Sequence, residues 1–443
     1  MINVIYAKTA KDFDSGLILT SRVNNEDIDV TNSVKKIIDD VKTHGIEAVK
    51  KFSLRFDYVQ KITHYYPDDF KRCYDEIDED FRKTLNSSAQ NIRAFHLLQK
   101  RNPEISLNHK DFEIGEMTVA LDRVAVYVPG GTASYPSSVL MCVIPAKIAG
   151  VKHVTIFTPP YSNSECNKDL LAAAHVAHAD EMILVGGAHG IALAAYGADD
   201  ILPVDKIVGP GNIYVATAKK LLYGVCDIDM IAGPSEIVIV ADDTANPSFI
   251  AADMISQAEH DVRASAILIT TSKLICGATI KELEKQISKL PRKKIIKDSI
   301  TYNSHIIVCN SLESAFEIAN KIAPEHLEIQ TKNAKEDMKL IHNAGSVFLG
   351  NYTPEPVGDY YAGLNHVLPT GGSARFFSPL SVNSFTKTIQ YAYYTKEKLN
   401  NSADNIIRFA EREGFTGHAN SVRKRLEDFT TQFDFGIYDD DLE

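Results

Sequence analysis

From Asp122 onward, short β-branched runs alternate with Gly/Pro turns and then with helical text, and this rhythm restricts the fold more than anything else in the chain. The turns are YVPGG (127–131), LVGGAHG (184–190), VGPGN (208–212) and AGPSE (232–236). Between them, VLMCVIPAKIAG and DLLAAAHVAHAD read as buried or amphipathic helices. Repeated strand–turn–helix units predict parallel α/β structure, because a parallel strand can be reached only by a crossover connection. Such sheets carry their loops at the carboxyl ends of the strands. None of the turns is GxGxxG or GxxxxGK[ST], so neither phosphate-binding motif is present. They are either a cofactor crevice or plain tight turns.

A second α/β block begins at EIVIVADD (236–243). Asn246 and Pro247 suit the N-cap and first position of a helix over 248–260. ASAILIT, SHIIVC, HLEIQT and SVFLG then read as strands, with ESAFEIANKI and AKEDMKLIHNAG as helices between them. Upstream, TNSVKKIIDDVKTHG predicts a helix capped at Thr31–Ser33, with Val34, Ile37, Ile38 and Val41 on one face and Gly45 as its stop. Mixed helical text continues to about residue 110. ADNIIRFAEREG and ANSVRKRLEDF read as two helices around a Gly414–Gly417 turn, and the acidic tail YDDDLE as a frayed end.

The 443 residues suffice for two to four domains. A net charge of −11 argues against nucleic acid, and the basic run KLPRKKIIK (289–297) reads as a solvated helix end. The N-terminus lacks a signal-peptide core, and no apolar run is long enough to span a bilayer, so a cytoplasmic, soluble protein without membrane partners is expected. The six cysteines include no CxxC and suggest neither a disulfide framework nor a zinc knuckle; Cys142 reads as a core thiol.

Four stretches carry candidate chemistry. SQAEHD puts Gln257 and His260 off the buried stripe of Ile250, Met254, Ile255 and Ala258, where they are either ligands or a polar helix end. IAPEHLEIQ puts Glu325 and His326 between a helix and a strand, where a carboxylate and an imidazole can divide proton transfers. The long segment 354–372 carries Asp359 and His366, and EREGFTGHAN carries Glu413 and His418. Gln257, His260, Asp359 and His418 make a mixed nitrogen and oxygen set suited to zinc or a neighbouring metal, although spacing alone does not bring them together.

Taken in order, YVPGG, PSSVLMCVIPAKIAGV, KIVGPGNIYVATAK, DMIAGPSEIVIVAD, SQAEHD, APEHLEI, VGDYYAGLNHVLPTGGSAR and EGFTGHANSV resemble histidinol dehydrogenase over roughly residues 25–428. The resemblance implies NAD-dependent oxidation of L-histidinol via L-histidinal to L-histidine, the last step of histidine biosynthesis. It implies two incomplete Rossmann-like domains, one inserted in the other, with small terminal helical segments that intertwine a homodimer. The expected boundaries are 1–25 for the N-terminal segment, 26–126 with 237–380 for the first domain, 127–236 for the inserted NAD-binding domain and 381–443 for the dimerisation segment. One zinc per subunit would be held by Gln257, His260, Asp359 and a second subunit's His418, so that active sites are shared. His326 would be the general base and Glu325 would activate water. Ser235, His366 and Glu413 would contact substrate alongside the metal ligands and His326; Tyr127, His189 and Asn212 would contact NAD.

The sequence departs from the family in places. GGAHG carries His189 and Gly190 where GGAQA is usual, and an imidazole lacks the amide's hydrogen-bonding geometry. Ile231 stands where proline is common, and YAGLNH replaces SGPNH or SGTNH. The alternatives are a same-family alcohol dehydrogenase with another substrate, a catalytically weak zinc-binding paralogue, and a zinc hydrolase, which the absence of HExxH disfavours.

Overall fold

The computed structural model describes residues 2–14, 28–130, 134–161 and 165–427. The tail YDDDLE and Gly131 lie outside them. The chain divides into a large unit, 1–100 with 120–386, and a small one, 101–119 with 387–443.

The large unit contains two six-stranded sheets. The first runs Asn3–Tyr6, His305–Val308, Ser265–Thr270, Glu236–Ala241, His326–Gln330, Ser346–Leu349, with every neighbouring pair parallel. The second runs His64–Tyr65, Glu181–Leu184, His153–Thr158, Arg123–Tyr127, Lys206–Val208, Asp227–Ile228, with only the first pair antiparallel. Apart from the added edge strand, both sheets have the order 3-2-1-4-5, a Rossmann-type sheet without its sixth strand. The mixed α/β class with parallel sheets agrees with the sequence rhythm. The central strands of each sheet are buried on both faces, which is why Glu236–Ala241 and Ser265–Thr270 read as nearly continuous apolar runs.

Local chemistry explains the helix starts. Asn246 Oδ1 accepts the Ser248 N–H at 2.9 Å and Pro247 opens the helix Pro247–Ala258. Gly45, expected to end a helix, instead kinks one that runs Ile28–Asp57, taking φ 55° and ψ −131° while helix resumes beyond it. Val34 to Phe52 on this helix pack with Tyr127, Ile183 and Ile207 of the second sheet. Residues 28–97 thus contribute to the second sheet's cores, whereas the expected division grouped them with the first. The helix expected over AKEDMKLIHNAG is reduced to Ala334–Asp337 and a 3₁₀ turn, Met338–Leu340.

In the small unit, Glu104–His109 and Phe112–Ala120 form an antiparallel hairpin, extended by Thr386–Tyr394 into three strands. The hairpin begins where the sequence reads as mixed helix to about residue 110. Helices Lys396–Arg412 and Thr416–Leu426 follow, joined at Gly414, whose φ of 80° favours glycine.

Candidate active site

Two sites form at opposite edges of their sheets. At the second sheet, three glycine turns follow strands, so their residues gather at the carboxyl edge. Tyr127, His189 and Asn212 all line one cavity of about 1250 Å³ there. Asn212 caps the helix Ile213–Leu222, its Oδ1 accepting the Tyr214 and Val215 N–H groups at 3.0 and 3.2 Å. The buried Tyr127 hydroxyl accepts the Gly187 N–H at 3.0 Å. His189 is buried beside the stacked rings of Phe52 and Phe56, with Nε2 at 3.3 Å from Ser53 Oγ and 3.6 Å from Asp57 Oδ2.

At the first sheet, the fourth turn, AGPSE, precedes its strand, and so does APEH. Ser235, Glu236, Glu325 and His326 therefore lie at the amino edge of adjacent parallel strands, with Ile237 in register with His326. The carboxyl-end rule holds for the cavity and fails here. Because Pro247–Ala258 runs back against these strands, its C-terminal end, with Gln257 and His260, reaches the same edge.

The strand His326–Gln330 alternates sharply. Leu327 and Ile329 enter an apolar core, leaving His326, Glu328 and Gln330 on the opposite face. Asp253, Gln257 and His260 recur at i, i+4 and i+7 on the helix, and Gln330 Nε2 bridges to Asp253 Oδ2 at 2.9 Å and Glu328 Oε2 at 2.8 Å. Gln257, expected outside the core, is only 1% exposed, and its Oε1 has no hydrogen-bond partner; His260, one turn on, is exposed.

His326 is held on one side and open on the other. Its Nδ1 donates to the Glu236 carbonyl at 3.1 Å, so Nε2 carries the lone pair. Nε2 is buried without a hydrogen-bond partner, 3.8 Å from Asp359 Oδ1. His366 repeats the pattern: Nδ1 donates to the Asp359 carbonyl at 3.1 Å and Nε2 accepts from Ser138 Oγ at 3.2 Å. Glu325 Oε2 accepts the Glu236 N–H at 2.9 Å.

Asp359 sits on the short helix Glu355–Tyr360, where Glu355 shares its face at i, i+4. Ligand atoms of His326, Glu355 and Asp359 lie within 4.8 Å of one another. Sequence reasoning missed Glu355, although the spacing in PEPVGD was a usable signal. A cation fits this corner: buried carboxylates and the orphaned Gln257 Oε1 are hard donors, and no lysine or arginine pairs with Asp359, Glu355 or Glu325 among the described residues. Glu413 and His418 belong to the small unit, both exposed, with the His418 ring tilted against Phe415 at 5.2 Å between centroids.

Burial dominates the electrostatics. It pushes Asp359 up to about 6 and Glu355 to about 9, the latter helped by the Asp359 carboxyl, and lifts Glu325 and Glu328 well above the usual range. It depresses His326 to about 3 and His366 to about 4. The sign of the pH dependence follows. Below pH about 6.5 the two effects oppose: raised carboxyls favour the folded state toward acid, and depressed histidines favour it toward neutrality. Above that, folded protein retains the Glu355 proton up to about 9, while unfolded chain has lost it, so stability falls as pH rises. Chelator-treated protein is expected to lose about 3 °C of melting temperature between pH 6.5 and 9. Thermal melts at fixed ionic strength check this, and a flat or rising curve would refute the buried, proton-holding carboxyls.

The cysteines are free among the described residues, and burial drives the Cys142 thiol far above its ordinary value, in keeping with a core role. No described helix is long and apolar enough to cross a membrane.

The profile of the histidinol dehydrogenase family matches residues 20–426. A histidinol dehydrogenase of Clostridium acetobutylicum is 47% identical over 410 residues, 92% of this chain and 95% of that protein. One of Listeria monocytogenes serovar 1/2a is 49% identical over 405 residues, covering 91% and 95%. The crystal structure of histidinol dehydrogenase from Elizabethkingia anophelis superposes with a TM-score of 0.89 at 34% identity, over 96% of this chain and 98% of that one. With a family profile and near-full-length relatives in agreement, the chain belongs to the histidinol dehydrogenase family and is an oxidoreductase acting on an alcohol.

Proposed function

We propose that this enzyme oxidises L-histidinol through L-histidinal to L-histidine, consuming two NAD per histidinol and holding one zinc per subunit, as the last step of histidine biosynthesis in the cytoplasm. The observation that carries the proposal is the convergence, at one buried edge, of an open imidazole nitrogen on His326, the Glu325 carboxyl and the ligand-rich face of Asp359 and Gln257.

Gln257, His260 and Asp359, with His418 from a second copy of the chain, would hold the zinc, which when bound offers a Lewis acid to the imidazole and amine nitrogens of histidinol. Tyr127, His189 and Asn212 would hold NAD in the cavity they line, where it would supply the hydride acceptor. Ser235, His366 and Glu413 contact the substrate.

His326 Nε2 takes the hydroxyl proton as hydride leaves the carbinol carbon. Burial keeps this imidazole neutral and therefore ready to accept; once Asp359 and Glu325 ionise beside it, its affinity for that proton rises. The aldehyde must then be hydrated before a second hydride can depart. Glu325 serves that step, because a carboxyl whose proton affinity is raised by burial is a better proton acceptor from water than an ordinary carboxylate.

Purified protein with NAD and L-histidinol is expected to yield two NADH per histidinol, to stop with a chelator and to resume with zinc. Absorbance at the NADH band, paired with histidine quantification, reads this out. Turnover of another alcohol with none of histidinol would overturn the substrate assignment.

A further inference from the structure

Glu236 stands at the first position of its strand, is 0% exposed, and has no part in the chemistry above. Its polar atoms nevertheless tie together the pieces that carry that chemistry. The side-chain Oε1 accepts the Glu325 N–H at 3.2 Å and the Gly371 N–H at 3.1 Å. Its own N–H donates to Glu325 Oε2 at 2.9 Å, and its carbonyl accepts from His326 Nδ1 at 3.1 Å. Glu236 and Glu325 thus clasp reciprocally, backbone to side chain in both directions. The third partner, Gly371, lies in the turn 369–372, where φ is +63° at Gly371 and +78° at Gly372. This turn is tied a second time, by the Gly233 N–H donating to Thr370 Oγ1 at 2.6 Å.

We propose that Glu236 is the positioning residue of the catalytic pair: one buried carboxylate oxygen fixes the APEH and PTGG turns to AGPSE, and the Glu236 main chain then fixes the His326 tautomer and the Glu325 carboxyl. The inference rests on His326 and Glu325 as the proton-transfer groups of the proposed reaction. Two features argue for positioning over a generic core role. An apolar residue would fill the same volume at lower cost, since a buried carboxylate is tolerated only where donors meet it. The donors here are the backbone N–H of one catalytic residue and that of a left-handed glycine turn, groups that an apolar side chain would leave unpaired. Glu236 also sets which nitrogen of His326 is free, because donation from Nδ1 leaves the Nε2 lone pair facing Asp359.

The acceptor geometry makes a specific demand. Glu236→Gln retains an Oε1 that accepts both N–H groups, so it should keep kcat within about threefold of wild type. Glu236→Asp, one methylene shorter, cannot reach both, and Glu236→Ala offers neither. Both should lower kcat by about 10²-fold, the cost of a misplacement on the order of 1 Å. The histidinol KM and zinc content of the full-length enzyme should stay near wild type. Glu236→Asp keeps the test available where the alanine variant does not fold. An independent readout needs no turnover: ¹⁵N NMR of the histidines should give a hydrogen-bonded Nδ1–H for His326 in wild type and Glu236→Gln, and lose it in Glu236→Asp. Wild-type kcat in Glu236→Asp, loss of kcat in Glu236→Gln equal to that in the aspartate variant, or an unaltered His326 Nδ1–H signal in Glu236→Asp would each overturn the proposal. Wild-type protein inert toward histidinol, with the NMR pattern as expected, would instead fault the assigned reaction and leave the clasp standing.

Discussion

His326→Ala is expected to lower kcat by about 10²–10⁴-fold, the contribution of one positioned base, while each subunit keeps its zinc and the NAD KM stays near wild type. The size follows from how little else can replace the base. Nε2 is the nitrogen left open by the Nδ1–Glu236 hydrogen bond, and it faces the corner where Asp359 lies. Glu325 and Glu355 are the nearby alternatives, but burial disfavours the charged, proton-accepting form of both. The zinc readout gives the prediction its edge. His326, Glu355 and Asp359 have ligand atoms mutually within 4.8 Å, so the same corner could be read as a cation site with His326 in it. Metal analysis of the variant decides between the readings. Loss of zinc on removing His326 would make it a ligand and end its role as base; retained zinc with collapsed kcat is the expected outcome.

Much of this arrangement is legible in the sequence, and the exceptions share a cause. Parallel α/β architecture follows from the turn rhythm, and the Asn246–Pro247 start from capping chemistry alone. Tyr127, His189 and Asn212 read only as glycine-turn neighbours, yet they share one cavity because strand order 3-2-1-4-5 puts their turns on one edge. Gln257 was misread as peripheral because a helical wheel assumes an apolar partner. The face beside it is the polar side of His326–Gln330, where Gln330 bridges Asp253 and Glu328, so this side of the helix buries polar side chains against polar ones and not against an apolar core. Glu355 was missed for the same reason, since an acidic residue after a proline reads as a solvated helix start. Gly45 shows the opposite limit. Its intrinsic preference to stop a helix is overridden by Val49 and Phe52, which continue the buried stripe beyond the kink.

The sharpest expectation concerns His418, which lies on Thr416–Leu426 in the small unit while Gln257, His260 and Asp359 belong to the large one. If a second copy of the chain supplies the fourth ligand, each metal site is built from two polypeptides. Two inactive proteins can then repair one another. His418→Ala should lose zinc and turnover, and His326→Ala should lose turnover alone. A heterodimer of the two, made by co-expression and isolated through two different affinity tags, contains one site in which both residues are intact. That site combines His326 from the first chain with His418 from the second; the other site lacks both. Such a heterodimer should recover about half of wild-type activity per dimer, by the two-fold exchange that relates the sites. Were His418 to serve the site of its own chain, each site in the heterodimer would carry one lesion, and activity would stay at the level of the parents. Because the outcomes are about half and close to nothing, a single rate measurement separates them.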